Sequence, residues 1–147
     1  MLQTITSIDN WVTELIKDDP VRKEIPIEKR INENAQMFAL WRTNELGAVT
    51  CVSYTEGIPN SVDSMYNCSS PNSDTAVFYT IWSYGKGAGR ELIIHASEEI
   101  KKQKPQIKNI VTLSPKTEMA KKFHIKNGAW KYRENHDTIN YAYELKS

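Results

Sequence analysis

Seven residues, Tyr84-Gly85-Lys86-Gly87-Ala88-Gly89-Arg90, constrain this chain more than any other stretch. They follow the apolar run Thr75 to Ser83, which is rich in aromatic and β-branched residues. They precede Leu92, Ile93, Ala96 and Ile100, which recur at helical spacing. In a strand, glycine-rich turn and helix joined in that order, main-chain N–H groups converge at a helix start whose partial positive charge adds to theirs. Such a unit suits a phosphate or diphosphate. It is not a P-loop, because Ala88-Gly89-Arg90 lacks the Gly-Lys-Ser/Thr ending. A dinucleotide-binding fold would begin with this unit and not reach it so late in the chain.

The remaining pattern supplies a sheet and helices around that unit. Ser7 is expected to cap a first helix bearing Val12, Leu15 and Ile16 and closed by Pro20, and a shorter helix is expected from Ile27 to Asn34. Gln36 to Thr43 and Ala48 to Thr55 read as strands joined by a turn at Asn44-Glu45-Leu46-Gly47. Lys108 to Leu113 reads as a further strand, and Pro115 suits the opening of a helix that runs to Lys126 and stops at Asn127-Gly128. The last pair, Trp130 to Arg133 and Thr138 to Leu145, alternates Ile139, Tyr141, Tyr143 and Leu145 on a buried face with Thr138, Asn140, Ala142 and Glu144. The order implies an α/β fold, a central mixed sheet of about six to seven strands flanked by helices. A length of 147 residues is that of one domain, residues 1–147.

The net charge is +1, but it is unevenly spread. Residues 1–74 hold 6 Lys/Arg against 11 Asp/Glu, a net of −5, and residues 75–147 hold 13 against 7, a net of +6. This split suggests an anionic ligand on one side and a cationic one on the other. Lys101, Lys102, Lys104 and Lys108 read as a solvated face, so nucleic acid is not the expected partner. With no signal peptide and no apolar stretch near 18 residues, a cytoplasmic chain without membrane contact is expected. Cys51 and Cys68 fit neither a disulfide framework nor a metal site, and no metal is expected.

Strand, glycine loop, helix, strand, helix and final hairpin in this order resemble the GNAT superfamily of acyl-coenzyme A dependent N-acyltransferases, loosely over residues 36–145 and well over 75–135. The family's Gln/Arg-x-x-Gly-x-Gly/Ala loop, matched at its end by Gly87-Ala88-Gly89, binds the coenzyme diphosphate, although Tyr84 stands in place of Gln or Arg. The resemblance implies acetyl-CoA (coenzyme A) as cofactor, seated by Gly85, Lys86, Gly87, Ala88, Gly89 and Arg90, with Ile81 and Trp82 along the pantetheine. Thr117 occupies the place of an Asn that contacts the coenzyme. His124 occupies that of the Tyr that protonates the departing thiolate, a role a neutral or partly charged imidazole can fill near pH 7. The acceptor implied is a small-molecule or protein amine, and homodimers occur in such families. Glu56 and Tyr54 are candidates for the base, and the polar connection from Gly57 to Asp74 is expected to border the acceptor pocket.

A narrower set, Leu113-Ser114-Pro115, Phe123-His124-Ile125-Lys126-Asn127-Gly128-Ala129 and Arg133, resembles the catalytic region of malonyl-CoA decarboxylases, which is itself GNAT-like. In that family the matching Ser and His hold and protonate the decarboxylating acyl group. The chemistry implied for Ser114 and His124 is therefore acyl transfer, decarboxylation, or thioester binding without turnover. His95 and His136 have no such support and are expected to be structural or solvated.

Overall fold

Apolar residues occupy both faces of Ala35–Arg42 and of Glu45–Thr55, and such runs are satisfied only inside a sheet covered on both sides. In the computed structural model, which describes residues 1–144, they are two strands of an eight-stranded mixed sheet. The strands are β1 (Leu2–Ile5), β2 (Ala35–Arg42), β3 (Glu45–Thr55), β4 (Thr75–Ser83), β5 (Asn109–Thr112), β6 (Ser114–Pro115), β7 (Trp130–Glu134) and β8 (Thr138–Tyr143). Their order is β1-β2-β3-β4-β5-β8-β6, with β7 also on β8, and only β4 and β5 run parallel. The helices are a 3₁₀ helix at Trp11–Asp18, α1 (Ile27–Arg30), α2 (Val62–Cys68), α3 (Ala88–Gln103) and α4 (Glu118–Lys126).

Several boundaries differ from those expected. β1 and the two-residue β6 raise the strand number to eight. The first helix is capped not by Ser7 but by Asn10, whose side chain accepts from Val12 N–H at 3.0 Å. The β2–β3 turn tightens to Thr43 and Asn44, with Thr43 at φ 57°. Pro115 pairs with Thr138 in the sheet, and Thr117 caps α4. Leu145 lies outside the described residues. Asn140, expected on the solvated face of β8, is fully buried. Its Nδ2 donates to Pro59 O (3.0 Å) and Thr112 O (2.8 Å), and its Oδ1 accepts from Arg133 and Asn135. A side-chain amide offers two donors and one acceptor oxygen, so every capacity of Asn140 is used and its burial carries no unsatisfied group.

Helix α3 covers one face of the sheet, setting Leu92, Ile93, Ala96 and Ile100 against Phe38, Leu40, Val52 and Ile110. The segment from the 3₁₀ helix through Ile31 covers the other, where Val12, Ile25 and Ile31 meet Met37, Val49, Val77 and Tyr79. A buried charge fixes that segment. Asp19 receives Arg30 at 2.8 Å, Thr80 Oγ1 at 2.6 Å and the N–H groups of Val21 and Arg22. Burial opposes its charge, yet these bonds hold the carboxyl below its ordinary value.

The ladder between β4 and β5 runs only from Thr75–Asn109 to Phe78–Thr112. There the strands part, and side chains take up the carbonyls that would have continued the pairing. Asn140 holds Thr112 O, and an Arg22 Nη holds Leu113 O at 2.6 Å. On the β4 side Tyr79 is an extra residue, since Phe78 faces Val52 and Thr80 faces Cys51. This bulge lies where β4 leaves its parallel neighbour.

Candidate functional site

The parting strands open a cleft of about 410 Å³. Phe78 to Tyr84 form one wall, Ser114, Pro115 and Thr117 with Met119, Ala120, Phe123 and His124 of α4 the other, and Asp18, Pro20 and Val21 a third side. Tyr84 N–H donates to Gly47 O at 2.7 Å, which fixes the alternation along β4. The N–H and C=O groups of Trp82 therefore turn to β3, whereas those of Ile81 and Ser83 turn to the unpaired edge in the cleft. Of the two residues placed along the pantetheine from sequence, Ile81 has the free backbone. Trp82 contributes a buried ring instead, and its Nε1 donates to Tyr84 Oη at 2.9 Å.

At the end of β4 the glycine turn enters α3 through Gly87, which has φ 75° and stands as N-cap. That left-handed conformation strains any residue with a Cβ. Ala88 N–H bonds back to Gly85 O at 3.2 Å, and the methyl of Ala88 is buried. The first-turn amides of Gly89 and Arg90 have no acceptor within the helix and remain available to an anion. Lys86 and Arg90 are exposed beside them. Gly89 has a packing reason as well, because a Cβ there would lie 3.0 Å from Cε1 and Cζ of Phe123. Ile81, Trp82, Gly89 and Thr117 thus line the cleft, and Gly85, Lys86, Gly87, Ala88 and Arg90 form the turn at its end. Thr117 Oγ1 accepts from Ala120 N–H at 3.2 Å, a cap that does not use its hydroxyl proton.

His124 is 5 % exposed, stacked on Tyr141 at 5.1 Å with Phe123 edge-on. Burial pulls its imidazole down to about 4. At pH 7 the ring is therefore neutral. Of the neutral or partly charged ring expected from the sequence, desolvation favours the neutral one, a hydrogen-bonding group. Its Nδ1 lies 2.7 Å from Tyr143 Oη. Ser114 Oγ is buried on the same wall, 2.8 Å from Thr112 Oγ1, which itself accepts from Tyr141 N–H.

Other candidates lie elsewhere. Tyr54 is buried beside Gln36 with Lys104 over its ring, and Glu56 accepts from Ser70, so neither reaches the cleft. The connection from Gly57 to Asp74 holds α2 and is stitched to the β7–β8 hairpin through the carbonyls of Ile58, Pro59 and Asn60, away from the cleft. Arg133 bonds Ile58 O and Asn140 and braces that hairpin. His95 and His136 are exposed. Sequence reasoning missed Asp18, which accepts from Tyr84 Oη at 2.8 Å and is the one carboxylate among the lining residues. No spacing marks it, since it reaches the cleft only where the 3₁₀ helix ends.

A mixed sheet opened between two parallel strands, with a glycine turn and helix start at the end of the opening, is the GNAT fold. No protein-family model matches the chain, and no curated protein does. Solved structures do. A Bacillus subtilis acetyltransferase in complex with CoA superposes with a TM-score of 0.65 at 15 % identity, covering 99 % of this chain and 98 % of its own. Malonyl-CoA decarboxylase from Agrobacterium vitis reaches 0.67 at 23 % identity over 84 % of this chain, which spans only 35 % of that protein. The N-acetyltransferase PseH of Campylobacter jejuni gives 0.62 at 14 % identity over 99 % and 98 %. Among the described residues no helix is long and apolar enough to cross a membrane.

Proposed function

We propose that this chain is an acyl-coenzyme A dependent N-acyltransferase, with acetyl-CoA as the simplest donor and an amine as acceptor. The observation that carries the reading is the juncture of the free edge of β4 with the Gly87 turn: one strip of backbone offers N–H groups along the cleft and ends in an anion seat. The residues present fit the coenzyme. Amides at the start of α3 with Lys86 and Arg90 would hold its diphosphate, and Ile81 and Ser83 would pair with the pantetheine. When bound, it supplies an acyl group activated as a thioester.

The chain's own part is to orient and to exclude water. His124, neutral at pH 7, lines the cleft, and its Nε2–H would stabilise negative charge on the thioester oxygen or the departing sulfur, with Ser114 assisting through its hydroxyl. In such a transfer the amine nitrogen would bond to the acyl carbon as the C–S bond broke, and the amine proton would pass to the departing thiolate to give the free thiol. Holding two reactants together supplies several kcal/mol of the barrier reduction.

A second reading, decarboxylation of a malonyl-type thioester, is favoured by one observation. Among the described residues Asp18 is the only carboxylate lining the cleft, and its Oδ2 already accepts from Tyr84, so the cleft is poor in bases for deprotonating an amine. Decarboxylation needs none. Incubation with acetyl-CoA and a panel of amines, and separately with malonyl-CoA alone, distinguishes the two by mass spectrometry. Coenzyme A release that depends on amine supports transfer. Acetyl-CoA formed from malonyl-CoA without acceptor would replace it with the second reading, and no turnover in either arm would leave thioester binding alone.

A further inference from the structure

The glycine turn is held by a residue 44 positions before Lys86 in the chain. Arg42, the last residue of β2, donates from one Nη to Lys86 O at 2.6 Å, from the other to Glu91 Oε1 at 2.9 Å, and from Nε to Glu91 Oε2 at 3.4 Å. The turn lies in van der Waals reach of this guanidinium, since a Cβ on Gly85 or Gly87 would stand 3.5 Å or 3.4 Å from its Nη atoms. Next to it, Gly47 O accepts from Tyr84 and Gly85, and a Cβ on Gly47 would meet Ala88 Cβ at 3.1 Å. The β2–β3 hairpin therefore grips the turn at three of its residues.

We propose that Arg42 is a positioning residue for the coenzyme diphosphate, acting through the turn. The inference rests on the reading above that the turn seats coenzyme A. Two physical arguments carry it. The Lys86 carbonyl lies in the turn and, unheld, could rotate toward the seat and place a negative dipole there. The Arg42 donor pins it away. In addition, Glu91 puts a carboxylate in the first turn of α3, where it competes with any other anion for the helix start, and the paired forks of Arg42 neutralise it. A lysine could not do both, because its single ammonium lacks the planar fork.

The test is isothermal titration of the full chain with coenzyme A, and NMR titration with pantetheine, which lacks the diphosphate. Arg42→Gln is expected to weaken coenzyme A binding about tenfold and to leave pantetheine binding within twofold. Arg42→Lys should recover only part of that loss, and Glu91→Gln should keep wild-type affinity or exceed it, because the carbonyl bond remains while the competing charge is gone. If Arg42→Gln does not fold, the Lys and Gln pair at positions 42 and 91 decides alone. A wild-type chain that binds no coenzyme A fails the reading of the seat itself. Wild-type binding with unchanged affinity in the position 42 variants, or an equal loss for pantetheine, fails the clamp.

Discussion

His124 Nδ1 and Tyr143 Oη stand 2.7 Å apart, and each is the other's hydrogen-bond partner in an otherwise aromatic enclosure. The phenol proton needs an acceptor, and Nδ1 is the one in reach, so the hydroxyl donates and the ring proton sits on Nε2. Burial pushes the Tyr143 hydroxyl up from its ordinary value, which keeps it a donor throughout the physiological range. Tyr143→Phe frees Nδ1 to carry the ring proton. We expect the Nε2–H tautomer to dominate in the wild-type protein by ¹⁵N NMR and to become mixed in the variant, with turnover reduced about tenfold. An unchanged tautomer ratio would show that the hydroxyl does not set the ring.

The buried imidazole also makes stability pH-dependent. Its folded value near 4 lies below its ordinary 6.5, so between those limits the unfolded chain binds a proton that the folded chain does not. Stability attributable to this group is complete above pH 6.5 and falls by about 3 kcal/mol as pH drops to about 4. Urea unfolding at stepped pH should show this slope, and His124→Gln should remove it. Parallel curves for the two proteins would mean that the ring is not held neutral.

Two glycines share a left-handed backbone but not a location. Gly57 has φ 77° with nothing near its Cβ position, and Gly87 has φ 75° beside Arg42. Alanine at either should cost about 1 to 2 kcal/mol of stability. Only Gly87→Ala should also weaken coenzyme A binding by calorimetry, so an equal loss in both would detach the turn from the ligand.

Arg30 and Asp19 are both fully buried, 2.8 Å apart. Arg30→Met leaves a buried carboxylate without its partner and should cost about 3 to 5 kcal/mol, whereas joining it to Asp19→Asn should recover a substantial part. Chemical denaturation of the single and double variants measures this coupling. A double variant no better than the single one would show that Thr80 and the two backbone donors carry the carboxylate without Arg30.

Asn140 holds the divergence of β5 from β4 through Thr112 O. Asn140→Ala leaves that carbonyl and Pro59 O unpaired in the interior, at about 2 to 4 kcal/mol. Amide hydrogen exchange should report faster opening in β5 and β8 than in β2 and β3. Uniform loss of protection would argue against a local role.

The central unit of the fold was legible because β4, the glycine turn and α3 each carry strong local signals that agree. The rest was hidden in long-range pairing. β6 is two residues long and exists only because Ser114 and Pro115 meet Ile139 and Thr138. The polar letters of β8 spoke for a solvated face, yet Thr138 and Asn140 are buried because carbonyls from a loop some eighty residues earlier satisfy them. At the cleft, His124 and Ser114 could be named from the local string around them, whereas Asp18, Arg42 and Tyr143 act through partners distant in sequence, which no spacing records.

Because the cleft is a gap between two diverging strands, its two main walls belong to different stretches of chain. On the proposed reading, anchorage of the coenzyme would fall to the first stretch and reactivity to the second. Side chains of α4 and the final hairpin that do not touch the turn would then be exchangeable without loosening the grip on a shared handle, so that one scaffold could trade one acyl chemistry for another.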